Sequence, residues 1–255
     1  MRLDLMTSPE VDAYLARRRS IIVPVGATEQ HGPKGLIGTD HLAPEAIARA
    51  SGAAYGILVG PTLTLGQSQH HLAFAGTISL RPSTFVLVIG DLIASLARHG
   101  FERVLLLNGH GGNVAPLRVA IKEQLAAHSV AGGPASLLHV RARNWWDLPG
   151  VARLRRELYG AQEGSHATPS EIAVTMASHP EAIPEFELPP PEEPRSGTLE
   201  QAGDGSFDAD DYRRRYPDGR MGSHSALARR ADGERLIALA VDDLAREVEA
   251  FEQAS

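Results

Sequence analysis

RPSTFVLVIGDLIASLARHGFERVLLLNGHGGN, residues 81–113, is the stretch that decides the fold class. Ser83 or Thr84 is expected to start a helix in which Phe85, Val88, Ile89, Leu92, Ile93 and Leu96 fall on one face. Gly100 suits the left-handed residue that ends it. Val104 to Leu107 then forms an apolar run of strand length, and NGHGGN leads into a second helix expected to reach about His128, with Pro116 tolerated in its first turn. Helix, strand, glycine-rich loop and helix in this order predict a right-handed crossover into a parallel sheet.

Working outward, Ser20 to Val25 is a β-branched run that ends in a loop, which predicts a buried strand. Thr39 is expected to cap a helix carrying Leu42, Ala46 and Ile47, and Ile57–Val59 and Leu137–Val140 supply further strands. Leu236, Ile237, Ala240, Val241, Leu244 and Val248 mark a closing amphipathic helix. Between them, residues from about 180 to 232 break the pattern with PPPEEP and DADDYRRRYPDGR, too long a stretch for an ordinary connection. The expectation is a single α/β domain over 1–255, with this excursion either covering a site or a subunit contact or serving as a low-complexity linker.

The composition narrows the chemistry. A net charge of -6 without a basic block argues against a nucleic-acid partner. No run approaches the ~20 apolar residues of a membrane span, and MRLDLMTSPE lacks the apolar core of a secretion signal, so the cytoplasm is the expected location. The chain has no cysteine, which rules out disulfides, thiolate nucleophiles and cysteine-bound zinc. Any metal must sit on histidines and carboxylates.

Four such residues occupy loops at strand ends. Glu29 and His31, two apart, project to the same side if the chain stays extended, and Asp40 follows nine residues after His31. His110 sits in NGHGGN, where the flanking glycines allow a sharp turn. Both loops leave the carboxyl edge of the sheet, where open α/β folds bind ligands. Asp40 also has a plainer reading as a helix cap, and His31 as a satisfied polar histidine. The set of nitrogen and oxygen ligands suits zinc, manganese or iron without choosing among them.

EGSHATPSE adds His166 and Glu171. Thr168, Pro169 and Glu171 match a capping box, whereas His166 has no such explanation and stands where a general acid or base would approach a substrate. NGHGGN could alternatively cradle a phosphate, although it lacks the lysine and hydroxyl of a P-loop. Trp145 and Trp146 read as core packing, with one indole expected at a surface. Ser68, in GQSQHH, has no base at a readable distance, which argues against a serine nucleophile.

VPVGATEQHGP, GTD nine residues beyond its histidine, AGTISL, NGHGGN and HATPSE, together and in this order over residues 20–175, resemble the creatininase (creatinine amidohydrolase) family. The resemblance implies a three-layer α/β/α sandwich with a mainly parallel central sheet, two divalent metal ions per subunit (zinc, manganese or iron), and homo-oligomers, commonly hexamers. It places Glu29, His31, Asp40 and His110 on the metal positions, with Asp40 bridging, and His166 on the catalytic histidine. Creatinine-cleaving members carry NGHYEN with a metal-binding glutamate where this chain has Gly112, so Glu171 is the candidate replacement. They also carry a tryptophan where this chain has Gln162, and GPHLPLGTD appears here as GPKGLIGTD. These departures point away from creatinine itself and toward another small or cyclic amide, a formamide or a peptide. Ser68, Trp146 and Gln162 are expected to line the substrate space.

Overall fold

The computed structural model describes residues 1–132, 138–183 and 208–253. Helix α1 (Ser8–Leu15) leads into strand β1 (Ser20–Val25), helix α2 (Thr39–Tyr55) and the short strand β2 (Leu58–Val59). Helix α3 (Pro82–Arg98), strand β3 (Arg103–Asn108) and helix α4 (Val114–Ala131) follow, then strand β4 (His139–Asn144) and helices α5 (Pro149–Tyr159) and α6 (Pro169–Ser178). The chain continues with α7 (Ala209–Arg215) and closes with α8 (Arg230–Gln253).

Among the described residues the strands form one parallel sheet in the order β2-β1-β3-β4. Alternation along β1 and β3 divides the core into two layers, as strands buried on both faces require, while the edge strand β4 is mostly exposed. Ile22, Leu105 and Leu107 pack with residues of α2, α5, α6 and α8 on one face. Ile21, Val23, Val25, Val104 and Leu106 pack with Phe85, Ile89 and Ile93 of α3, Leu117 and Ala120 of α4 and Tyr14 of α1 on the other. The result is the expected three-layer α/β/α sandwich.

Local boundaries differ from the sequence reading at several places: β2 begins at Leu58 and not Ile57, and α4 runs on to Ala131. Thr39 is the first helical residue of α2 and not its cap: Gly38 stands at the cap position, and the Thr39 hydroxyl donates backward to the Leu36 carbonyl at 2.7 Å. α3 begins at Pro82 and not at Ser83 or Thr84, because Arg81, held extended before the proline, ends the preceding loop. The fourth strand runs on to Asn144, while Leu137 lies outside the described residues. Within the 180–232 excursion, residues 208–232 are described and residues 184–207 are not.

The site edge is assembled by close backbone approach. Pro44 lies inside α2 and has no N–H to offer the Asp40 carbonyl, so that carbonyl is free to face the strand ends. A Cβ added at Gly109 would stand 1.9 Å from that oxygen. Only glycine lets the β3 loop reach the start of α2, and this brings His110 beside Asp40.

Candidate metal centre

Glu29, His31, Asp40 and His110 converge at the carboxyl ends of β1 and β3, all of them buried. Asp40 is the centre of the arrangement: its Oδ1 lies 3.0 Å from His31 Nε2 and its Oδ2 lies 2.9 Å from His110 Nδ1. Glu29 Oε1 stands 3.4 Å from His110 Nδ1. The four side chains thus cluster at one edge of the sheet, with Asp40 between the His31 and His110 rings.

Asparagines brace the two loops. Asn108 accepts from the His110 N–H at 3.2 Å and donates to the His110 carbonyl at 2.8 Å, while Asn113 donates to the Gly26 carbonyl at 2.9 Å. The rings are oriented from behind by carbonyls, which can only accept. His110 Nε2 meets the Gln67 carbonyl at 2.8 Å, and His31 Nδ1 meets the Glu29 carbonyl at 3.1 Å. Each of these bonds turns the opposite ring nitrogen toward the carboxylates, the arrangement that orients metal-binding histidines.

Whether the residues suit a divalent cation can be judged from Glu29. It is fully buried, and neither of its carboxylate oxygens, nor Asp40 Oδ2, makes a hydrogen bond. A buried carboxylate without donors costs several kcal/mol unless a cation compensates it. The residues fit the group, and two trios, Glu29–His31–Asp40 and Glu29–His71–His166, are close enough to hold an ion, sharing Glu29.

Without an ion the site relies on protons. Burial raises Glu29 to about 8, with His110 opposing the shift. Burial pulls His31 and His110 down, but carboxylates overcome it: Asp40 foremost for His31 and Glu29 foremost for His110, raising them to about 10 and about 9. Burial would raise Asp40, yet His31 and His110 hold it well below the usual carboxylate range. The folded, metal-free chain thus binds protons on His31 and His110 that the unfolded chain releases above about 6.5. The raised Glu29 acts in the same sense between about 4.5 and about 8. Chelated protein is expected to lose stability as pH rises from about 6.5 to about 10, by about 2–4 °C of Tm for each kcal/mol. Ion-loaded protein should vary less, because the ions replace those protons; thermal melts of both forms across that range check this, and parallel curves would contradict it.

The remaining expected site residues fall as follows. His166 is buried, its Nε2 donating to the Gln30 carbonyl at 2.7 Å and its Nδ1 standing 3.5 Å from Glu29 Oε1. Burial, with His31 beside it, holds the ring well below its ordinary pKa, so it is neutral with a lone pair at Nδ1. The next residue, Ala167, adopts φ 54°, a strained left-handed conformation, and Ser225 Oγ donates to its carbonyl at 2.6 Å. Glu171 does form the capping box: its Oε2 accepts from both the backbone N–H and the hydroxyl of Thr168 at 2.9 Å. Ser68 is buried beside the centre with its hydroxyl directed to Glu29, and its Oγ is 3.5 Å from His110 Nε2, whose proton already goes to Gln67. Trp145 is fully buried, whereas Trp146 is half-buried against the α5 and α8 side of the core. Gln162 lies exposed, its carbonyl accepting from the His224 N–H at 2.9 Å.

Three participants had no clear signal in the sequence. His71 Nε2 lies 3.3 Å from Glu29 Oε1, and its ring stacks on His166 at 4.2 Å. Gln30 links the two histidines, and Tyr212 of α7 closes over His71 edge-on at 4.5 Å. The doubled histidine of GQSQHH was visible, but only the folded chain turns one of the pair toward Glu29. The described part of the excursion covers this side of the centre: Met221 pairs with His166, and Ser223 Oγ donates to the His166 carbonyl at 2.6 Å.

The family model for creatininase, described as creatinine amidohydrolase, matches residues 4–248. This chain belongs to the creatininase family. Among curated creatininase relatives, it is 30% identical to creatinine amidohydrolase of Pseudomonas putida over 190 residues, covering 70% of this chain and 72% of that one. It is 35% identical over 125 residues to the mycofactocin precursor peptide peptidase of Mycobacterium ulcerans (strain Agy99), covering 46% of this chain and 50% of that one, so it spans about half the length of that relative. A solved creatininase variant described as Zn-Zn type is similar with a TM-score of 0.81 at 26% identity, over 98% of both chains. A manganese creatininase is similar with a TM-score of 0.80 at 27% identity over the same shares. Set against the NGHYEN of creatinine-cleaving members, Gly112 has a steric reason in this fold. A Cβ there would stand 2.3 Å from the Gln67 carbonyl and 2.4 Å from His110 Nε2, so no side chain fits while that bond orients His110.

Proposed function

We propose that this creatininase-family chain is a metal-dependent amidohydrolase that cleaves the C–N amide bond of a small or cyclic amide. The observation that carries the reading is the buried Glu29 carboxylate, without a hydrogen-bond donor and surrounded by His71, His110 and His166. Zinc or manganese, the metals of the similar creatininase structures, would be held by Glu29, His31, Asp40 and His110. Glu171 is the proposed further ligand: its cap uses Oε2, and it ranks just after Asp40 among the charges that raise His31. Bound ions supply Lewis acidity and an activated water at neutral pH.

The chain's own groups do the rest. His166 takes a proton at Nδ1 and delivers it to the departing nitrogen, without which an amide does not leave. Substrate enters through a cavity of about 310 Å³ lined by Gln30, His31, Ile37, Phe74, Arg213 and Asp218. Trp146 and Gln162, which do not line that cavity, would contact a larger substrate. A short peptide is the second substrate reading, favoured by the 35% identity to the mycofactocin peptidase. A homo-oligomer is part of the proposal: Leu87 and Val119, 68% and 48% exposed, flank an apolar groove of about 780 Å³ between α3 and α4.

Chelation is expected to abolish turnover of the active compounds in a panel of cyclic amides, formamides and short peptides, and zinc or manganese to restore it. Turnover that survives full removal of metal would overturn the reading. Glu171→Gln keeps a capping-box side chain, so it isolates the ligand role: the variant should bind less metal, while its metal-free Tm stays close to that of the metal-free unaltered protein. Full metal content in that variant would leave Glu171 a cap alone.

A further inference from the structure

We propose that His71 is a hydrogen-bond donor to the substrate's carbonyl oxygen and not a metal ligand, because the Gln30 amide fixes the ring proton on the nitrogen that faces the site. The proposal rests on the amidohydrolase reading above.

Three of the four imidazoles at this centre are anchored by carbonyls: His31 on Glu29, His110 on Gln67 and His166 on Gln30. Each leaves the inward nitrogen able to accept a cation or a proton. His71 is anchored in the opposite sense. Its outward nitrogen, Nδ1, lies 2.9 Å from Gln30 Nε2. The orientation of that amide is set by two other bonds: Oε1 accepts from the Gly32 N–H at 2.8 Å, and Nε2 donates to the Gly219 carbonyl at 3.1 Å. Gln30 Nε2 also lies 2.9 Å from His166 Nε2, but that nitrogen already directs its proton to the Gln30 carbonyl and cannot accept. The two amide hydrogens therefore go to Gly219 and to His71 Nδ1. An amide nitrogen only donates, so Nδ1 must accept and the ring's one proton sits on Nε2.

That N–H points into the site, 3.3 Å from Glu29 Oε1, with which it makes no hydrogen bond. The ring cannot readily turn away, since it is 1% exposed, stacked on His166 and covered edge-on by Tyr212. Attack on an amide moves negative charge onto the carbonyl oxygen, and a buried, fixed donor stabilises that charge with little reorganisation. A second feature supports the assignment: Gly219, which receives the other amide hydrogen, comes from the described part of the excursion and also accepts from the Tyr212 hydroxyl at 3.1 Å. The segment that covers the centre thereby sets which nitrogen of His71 carries the proton.

The test uses zinc-loaded protein with ¹⁵N-labelled histidine. Long-range ¹H–¹⁵N spectra should show His71 protonated at Nε2, and His31 and His110 protonated at the nitrogens bound to backbone carbonyls. His71→Ala should keep the full zinc content and lower kcat roughly 10²–10³-fold, the usual effect of losing one such donor. His71→Gln, which restores an N–H, should recover part of that loss. Gln30→Glu, which offers His71 an acceptor, should shift its proton to Nδ1 and lower kcat with zinc retained. Loss of a zinc equivalent in His71→Ala, a Nδ1-protonated ring in the unaltered protein, or unchanged kcat in His71→Ala would each overturn the proposal. If the unaltered zinc enzyme hydrolyses no amide, the functional reading fails, while the spectra and zinc contents still decide whether His71 is donor or ligand.

Discussion

Asp40→Asn is expected to empty the metal centre and to lower kcat/KM by roughly 10³-fold or more. Asp40 Oδ1 is hydrogen-bonded to His31 at 3.0 Å and Oδ2 faces His110 Nδ1 at 2.9 Å, and an amide replaces one of these oxygens with a donor. Lewis-acid stabilisation is worth several kcal/mol, and each 1.36 kcal/mol is a tenfold change in rate. The substitution also removes the negative charge that offsets two raised imidazoles, so the metal-free variant should show His31 and His110 titrating at lower pH than in the unaltered chain. Elemental analysis of the purified variant, read beside turnover, checks the claim. Two retained ions per subunit would show that Asp40 does not bridge.

His166→Ala separates chemistry from metal binding. Its Nε2 is committed to the Gln30 carbonyl, and its Nδ1 stands at 3.5 Å from Glu29 Oε1, outside the closer contacts that Asp40 makes. Metal content is expected to stay at the level of the unaltered protein while kcat falls about 10²–10⁴-fold, the usual contribution of a positioned acid or base. The loss should be smaller for substrates whose leaving nitrogen needs less protonation, such as anilides with electron-withdrawing rings. Metal loss equal to that of Asp40→Asn would make His166 a ligand and require another proton donor.

The two predictions rest on residues of different legibility. Glu29, His31, Asp40 and His110 could be read because each stands on a loop directly after an apolar run or at a helix start, where chain direction alone puts them on one edge of a parallel sheet. The boundary at Thr39 misled because a threonine before a periodic run usually caps it, whereas here its hydroxyl turns back to Leu36 and Gly38 takes the cap. Glu171 was ambiguous in the sequence and keeps a structural reason in the fold, since its capping box forms. His71 and Gln30 escaped notice because their roles come from contacts across 41, 136 and 189 residues of chain.

The amino-acid sequence by itself determined the α/β order of elements, the continuous apolar runs that let the central strands be buried on both faces, and the cysteine-free histidine and carboxylate set available to a metal. These follow from local periodicity and residue chemistry. Tertiary structure alone decided which nitrogen of each imidazole faces the carboxylates. That choice depends on whether a carbonyl, as at Gln67 for His110, or an amide N–H, as at Gln30 for His71, stands behind the ring. Such partners are brought together only when the loops pack, and a ring has two nitrogens that no spacing in the chain can tell apart.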